Sequence, residues 1–243
     1  MGAGRDPAKK GRAKVSATRI QDSARRAAAR SGRPPAKRAG EVEERILGAA
    51  RRVFLERGFE AASIEEIAAA ARSGKPTIYA RFPNKKALFA AAVTRYAFAT
   101  LSRLEEDKPS GATLQERLVN IGAGALREVL TGEWIGLLRL AISEARRFPD
   151  LGVFVIRSMR ERGGESMARR LGKAAESDAE AWPAFRPDRL SMTARCFVDL
   201  ILLPQLLRAL LGEPLETLHA ETGPHVLQRV TFFLDACRHA DLS

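Results

Sequence analysis

Lys85 and Lys86 stand where cations are out of place. Asn84, a good helix N-cap, follows Pro83, so the two lysines fall in a helix's first turn, where the helix dipole disfavours positive charge. The arrangement makes sense if an anion is bound there, because a phosphate would meet free helix N–H groups and two ammoniums together. Just upstream, Ile78 and Phe82 sit four apart and can pack inward, while Lys75, Thr77, Tyr79 and Arg81 point elsewhere. These cations and hydroxyls suit contact with nucleic-acid phosphates and base edges.

The elements that must position them are legible nearby. Ser63 and Glu66 form an S-x-x-E capping box, and Ile64, Ile67, Ala68 and Ala71 give the helix that follows one apolar face. Gly74 interrupts the pattern. A second short helix tolerates Pro76 because the amides of a first turn have no partner. Two short helices joined by a tight turn make a helix-turn-helix, whose second helix enters the major groove. A longer helix from about Glu41 to Arg57 precedes them, with Val42, Ile46, Ala49, Ala50, Val53 and Phe54 on one stripe. Gly58 is placed to end it with φ > 0.

The run Lys75-Pro76-Thr77-Ile78-Tyr79, continued by Phe82, Lys85 and Leu88, resembles the K-G-T-L-Y-x-x-F-x-x-K-x-x-L signature of the TetR family of bacterial transcriptional repressors. Ile67-Ala68 match as well. The resemblance implies an all-α fold: a three-helix head joined by a fourth helix to a larger helical domain that binds an effector and dimerises. It also implies that Ser63, Arg72, Lys75, Pro76, Thr77, Tyr79, Arg81, Lys85 and Lys86 face the DNA. Lys75, Thr77 and Tyr79 would serve the groove and its flanking phosphates, and Lys85 a phosphate. The chain departs from the pattern in the turn. Where many members have Gly-Val-Ser it has Arg72-Ser73-Gly74, which puts an arginine where φ > 0 is needed and a glycine where a serine caps.

Of the net charge of +12, residues 1–40 carry twelve Lys/Arg against Asp6 and Asp22, which is +10, and leave +2 for the rest. With Met1, Val15 and Ile20 as their large aliphatics, these residues read as a disordered basic arm able to touch DNA. The head is then 41–88 and the C-terminal domain 89–243. Cys196 and Cys237 make no disulfide framework and read as small core residues on apolar helices, with a redox pair as the sharper alternative. No apolar signal segment opens the chain, so a cytoplasmic, nucleoid-associated protein is expected. Gly122-Ala123-Gly124 is no dinucleotide fingerprint, Gly172-Lys173 is no P-loop, and His219, His225 and His239 lack a metal-binding spacing. No enzyme, cofactor or metal is expected.

In the C-terminal domain, Thr113 and Glu116 form a second capping box. Apolar stripes from Leu114 to Val129 and from Trp134 to Phe148 follow, then Leu151 to Met159, with Gly163-Gly164 as a weak point. A cavity for a small apolar effector is expected among Trp134, Leu138, Ile142 and Phe154, with Arg139 or Arg157 for an acidic group. A helix over about 188–211 is apolar nearly all round from Phe197 to Leu211, and those fifteen residues are too few to span a membrane. Such a helix must be buried on every side, so with a last helix over about 223–239 it is expected to form a homodimer interface through Phe197, Ile201, Leu206, Leu210, Leu227, Val230 and Leu234. The chain therefore reads as a homodimeric repressor of operator DNA released by an effector. The alternative is a ligand-independent architectural DNA-binder driven by the basic arm.

Overall fold

The computed structural model describes residues 36–106, 109–178 and 181–238. The chain divides into two units, Met1–Glu44 and Arg45–Ser243. Most of the expected arm, residues 1–35, lies outside the described residues. Residues 36–40 are not disordered but already helical. No strand occurs among the described residues, and the fold is all-α.

The head comprises α1 (Ala36–Ala61), α2 (Ile64–Ala70) and α3 (Lys75–Tyr79). Gly58 breaks α1 with φ 77° and ψ 172°, a conformation open to a residue without Cβ, and turns Phe59 into the core. Both arms of the Ser63–Glu66 capping box are made. Ile46, Phe54, Ile67, Ile78, Leu88 and Phe89 are fully buried, and Leu47, Val53, Phe59, Ile64, Phe82 and several alanines are buried in the head with them.

α4 (Lys85–Glu106) leaves the head and enters the second bundle. There α5 (Leu114–Val129), capped by the Thr113–Glu116 box, buries the stripe expected of it, and α6 (Gly132–Ala145), capped by Thr131, buries Trp134, Leu137, Leu138 and Ala141 of its stripe but not Ile142. α7 (Pro149–Ser158) runs through a π-type turn at Met159–Gly163 into α8 (Gly164–Ala174). The two adjacent glycines mark this seam. α9 (Leu190–Ile201), α10 (Leu203–Leu210) and α11 (Leu215–Arg238) complete the chain, after a short 3-10 turn at Pro183–Phe185. α5 lies close against α11: a Cβ on Gly122 would stand 2.9 Å from Val226 Cγ1.

Two boundaries differ from the sequence reading, both at prolines. The single helix expected over 188–211 is broken at Leu202, because Pro204 has no N–H for the carbonyl four residues back and its ring crowds that turn. The last helix begins at Leu215, well before Gly223, and carries Pro224 inside it. The stretch Leu190–Leu210 is, by length and composition, long and apolar enough to cross a membrane, longer than the fifteen residues counted above. Within the protein its Ala194, Phe197 and Ile201 are fully buried in the bundle, and Arg195, Asp199 and Arg208 interrupt it.

Four of the seven expected dimer residues are corrected by their burial. Phe197, Ile201, Val230 and Leu234 are enclosed by their own chain, with the Phe197 ring set edge-on against Phe233 at 5.4 Å. They build the protomer's core and present nothing to a partner. Leu206 and Leu210 are half-buried and Leu227 is exposed. The exposed apolar residues of these helices are Met192, Leu203, Leu207, Leu211, Leu227 and Phe232. The cysteines also differ from expectation. Cys237 is in the core, where burial pushes its thiol up to about 11, but Cys196 is exposed.

Candidate nucleic-acid interface

The turn between α2 and α3 is a Schellman closure. The N–H of Ser73 donates to the Ala68 carbonyl at 2.9 Å and that of Arg72 to Ala69 at 3.1 Å. This geometry needs a left-handed residue after the cap. Arg72 supplies it at φ 48°, the only non-glycine with positive φ among the described residues. The departure Arg72-Ser73-Gly74 therefore keeps the turn and strains it. Arg72→Gly is expected to stabilise the fold by about 1 kcal/mol, which is roughly 2–4 °C in Tm for a domain of this size. The same variant loses an exposed cation from the DNA side and should bind DNA more weakly. A thermal melt read beside a gel shift checks both; a lower Tm would show that Arg72 is not strained.

Beyond the turn, Gly74 caps α3 through its extended backbone alone, and Pro76 occupies the first turn. Ile78 and Phe82 point into the head core. The opposite face then carries Arg72, Lys75, Pro76 and Tyr79, all exposed, with Tyr79 at 49%. Of the three residues expected to serve the groove and its flanking phosphates, Lys75 and Tyr79 are exposed here. Thr77 is half-buried, and Arg81 is half-buried with Nη1 donating to the Thr77 carbonyl at 3.1 Å, so it fastens the end of α3. Ser63 is held by its capping box. Lys75 Nζ meets the Glu65 carboxylate at 2.7 Å. That hydrogen bond holds the Glu65 carboxyl below its usual value and raises the Lys75 ammonium.

Lys85 and Lys86 both have partners within the protein. Asn84 Oδ1 accepts the Ala87 N–H at 2.8 Å and caps the start of α4. Lys85 Nζ donates to the carbonyls of Glu60 (3.0 Å) and Ala62 (3.1 Å) and lies over the Phe59 ring, which ties α4 to the end of α1. Lys86 reaches Asp150 at 3.5 Å and lies over the Phe148 ring. Phe148 also packs edge-on against Phe59 at 5.6 Å, and Arg147 pairs with Glu60. Lys85 thus fastens α4 to the end of α1, and Lys86 anchors the start of α4 to the α6–α7 corner. Sequence reasoning missed this because Phe148 and Asp150 lie some sixty residues downstream, with no local signal.

The expected effector residues are only partly brought together. Trp134 and Leu138 are buried, and Trp134 packs on Tyr96 of α4 with ring centroids 5.9 Å apart. Arg51 of α1 covers Tyr96 from 4.7 Å, so the three side chains run from head to body. Ile142, 60% exposed, lies outside. Arg157 is exposed and paired with Glu161 one turn on. The Phe154 side chain lies outside the described residues.

Two family models match the chain. The one described as bacterial regulatory proteins, tetR family, covers residues 46–92, from α1 into α4. The other, the C-terminal domain of AefR-like transcriptional repressors, covers residues 116–238. An uncharacterised HTH-type transcriptional regulator of Mycobacterium tuberculosis is 30% identical over 109 residues, 45% of this chain and 50% of that protein. The chain spans about half the length of the curated relatives it matches. A TetR-family transcriptional regulator from Mesorhizobium loti, 23% identical, has a TM-score of 0.71 over 82% of this chain and 98% of its own. The flavonoid-responsive regulator FrrA, 28% identical, has a TM-score of 0.61 over 83% of this chain and 99% of its own. With its helix-turn-helix, its Lys75–Leu88 signature and its helical C-terminal part each matched, the chain belongs to the TetR family of DNA-binding bacterial transcriptional regulators.

Proposed function

We propose that the protein is a homodimeric cytoplasmic repressor, associated with the nucleoid. In this reading residues 41–88 bind operator DNA, residues 89–243 dimerise and hold a small apolar effector, and residues 1–40 add sequence-independent attraction to phosphates. Repression is occlusion of a promoter. An effector that prefers the dimer with its heads set wide disfavours the spacing of one DNA turn, about 34–36 Å, that two half-sites require.

The observation that carries this reading is the exposed face of α3, Lys75, Pro76 and Tyr79, with Arg72 exposed in the turn before it, on a helix whose Ile78 is locked in the core. The anchor of Phe148, Lys86, Arg147 and Glu60 supports the release step, because it gives the α6–α7 corner a grip on the head. The buried Trp134–Tyr96 pair supports an aromatic or apolar effector, and the name of FrrA points the same way. The outward apolar residues of α9–α11 support the dimer.

Lys75→Ala and Tyr79→Ala test the DNA face. Each should leave the melting temperature unchanged, since both side chains are exposed. Each should weaken binding to DNA selected by the wild type from a random pool by about 1–3 kcal/mol, roughly 5- to 150-fold. Gel shifts over a range of salt concentrations measure this. Wild-type affinity in both variants would take α3 off the DNA.

A further inference from the structure

Glu65 lies in the first turn of α2 and Lys75 in the first turn of α3, and their side chains meet across the helix-turn-helix at 2.7 Å with both residues exposed. The first-turn carboxylates Glu65 and Glu66 suit the helix dipole. Their duties differ. Glu66 closes the capping box and faces Arg57 at 3.6 Å, so it is committed to the fold. Glu65 takes no part in the capping box; its carboxylate meets its own backbone N–H and, across the turn, the Lys75 ammonium of α3. A carboxylate and a DNA phosphate compete for the same hydrogen-bond donors.

We propose that Glu65 is a built-in competitor for the DNA phosphate at Lys75, which lowers the affinity of the head for DNA of any sequence. The inference rests on the DNA-facing role proposed above for Lys75. When the head docks, Lys75 exchanges Glu65 for a phosphate. The phosphate sheds a condensed cation, while Glu65, newly unpaired beside the polyanion, takes one up from solution. The exchange of ions nearly cancels, so Lys75 adds little to the salt dependence of binding. When the head leaves, Glu65 recaptures the ammonium and eases dissociation. Because the competition is with the backbone, the preference for operator over other DNA is unaffected.

The rival account is a strut, in which the pair merely holds α3 at its angle to α2. The two predict opposite signs. Binding to a random-sequence DNA duplex is measured by fluorescence anisotropy across a salt series for the full-length wild type, Glu65→Gln, Lys75→Gln and the double variant. The competitor role requires Glu65→Gln to bind about three- to tenfold more tightly. Its slope of log K against log salt should steepen by about 0.9 for each recognition helix engaged. It also requires that Glu65→Gln leave the slope unchanged once Lys75 is Gln. If Lys75→Gln weakens binding but Glu65→Gln weakens it too or leaves it as it was, the pair is a strut and the proposal falls alone. If Lys75→Gln has no effect, the placement of Lys75 on DNA falls and takes the proposal with it. An equal gain from Glu65→Gln with and without Lys75 would reduce the effect to net charge and overturn the competitor role.

Discussion

Charging the outward face of α10 is expected to abolish tight operator binding without unfolding the protomer. Leu207 and Leu211 sit one turn apart and are 55% and 81% exposed, beside Leu203 on the same row. An aspartate at both positions removes almost nothing from the protomer's own core, because Phe197, Ile201, Val230 and Leu234 fill that core instead. In a dimer the same two carboxylates would be buried against an apolar partner, where unpaired charge is strongly disfavoured. Two linked heads bind one operator about 10²- to 10⁴-fold more tightly than one head alone, and the double variant should lose an amount of that order. Analytical ultracentrifugation should find half the wild-type mass, circular dichroism an unchanged helix content, and anisotropy the lost affinity. A variant that remains dimeric would move the interface elsewhere; a monomer with wild-type affinity would remove dimerisation from the mechanism.

Phe89→Ala is expected to cost about 3–5 kcal/mol, a large share of a total stability of roughly 5–15 kcal/mol. Phe89 is fully buried at the start of α4, edge-on to Phe54 at 5.0 Å and to Phe59 at 5.4 Å. Phe59 in turn meets Phe148. These rings are the common floor of α1, of α4 and of the corner that grips the head, so removing one leaves a hole beneath all three. Chemical denaturation should show the loss with DNA binding failing in parallel, and Phe89→Leu, which keeps most of the volume, should fall between. A loss below about 1 kcal/mol would mean that the head relaxes around the hole.

What could be read from the sequence was whatever is decided within a few residues. Ser63–Glu66 and Thr113–Glu116 announce their helices because a capping box is complete in four positions. Gly58 and the strained Arg72 follow from the backbone their turns require. The outward patch of α3 follows from Ile78 and Phe82 being forced inward. What could not be read was which half of a helix apolar on all sides belongs to its own chain. Phe197 and Leu207 look alike in a periodicity, and they are separated only by the packing of α5 and α11 against one of them. Pro204 and Pro224 show the same limit from the other side. One breaks its helix and the other is carried inside one, because neighbouring elements decide whether a missing hydrogen bond is tolerated. The partners of Lys85 and Lys86, two carbonyls at the end of α1 and an aromatic corner far downstream, leave no local mark in the sequence.

The grip between head and body is itself made of solvated ions. Arg147 and Glu60 are each more than half exposed, and Asp150 opposite Lys86 is almost wholly so. At physiological ionic strength fields between exposed charges fade over about 8 Å, so added electrolyte loosens this grip while it also competes for the phosphates of the DNA. A titration with potassium chloride therefore acts on two equilibria, the docking of the head on the duplex and its orientation on the body. Any salt dependence that comes from the grip adds to the salt dependence that comes from phosphate contacts. Comparing variants that leave Phe148, Lys86, Arg147 and Glu60 intact cancels the second contribution. Replacing Arg147 and Glu60 by an uncharged pair would measure it: the salt curve of DNA binding becomes shallower with no phosphate contact altered. Osmolarity and ionic composition inside the cell would then set how firmly the C-terminal bundle holds the helix-turn-helix.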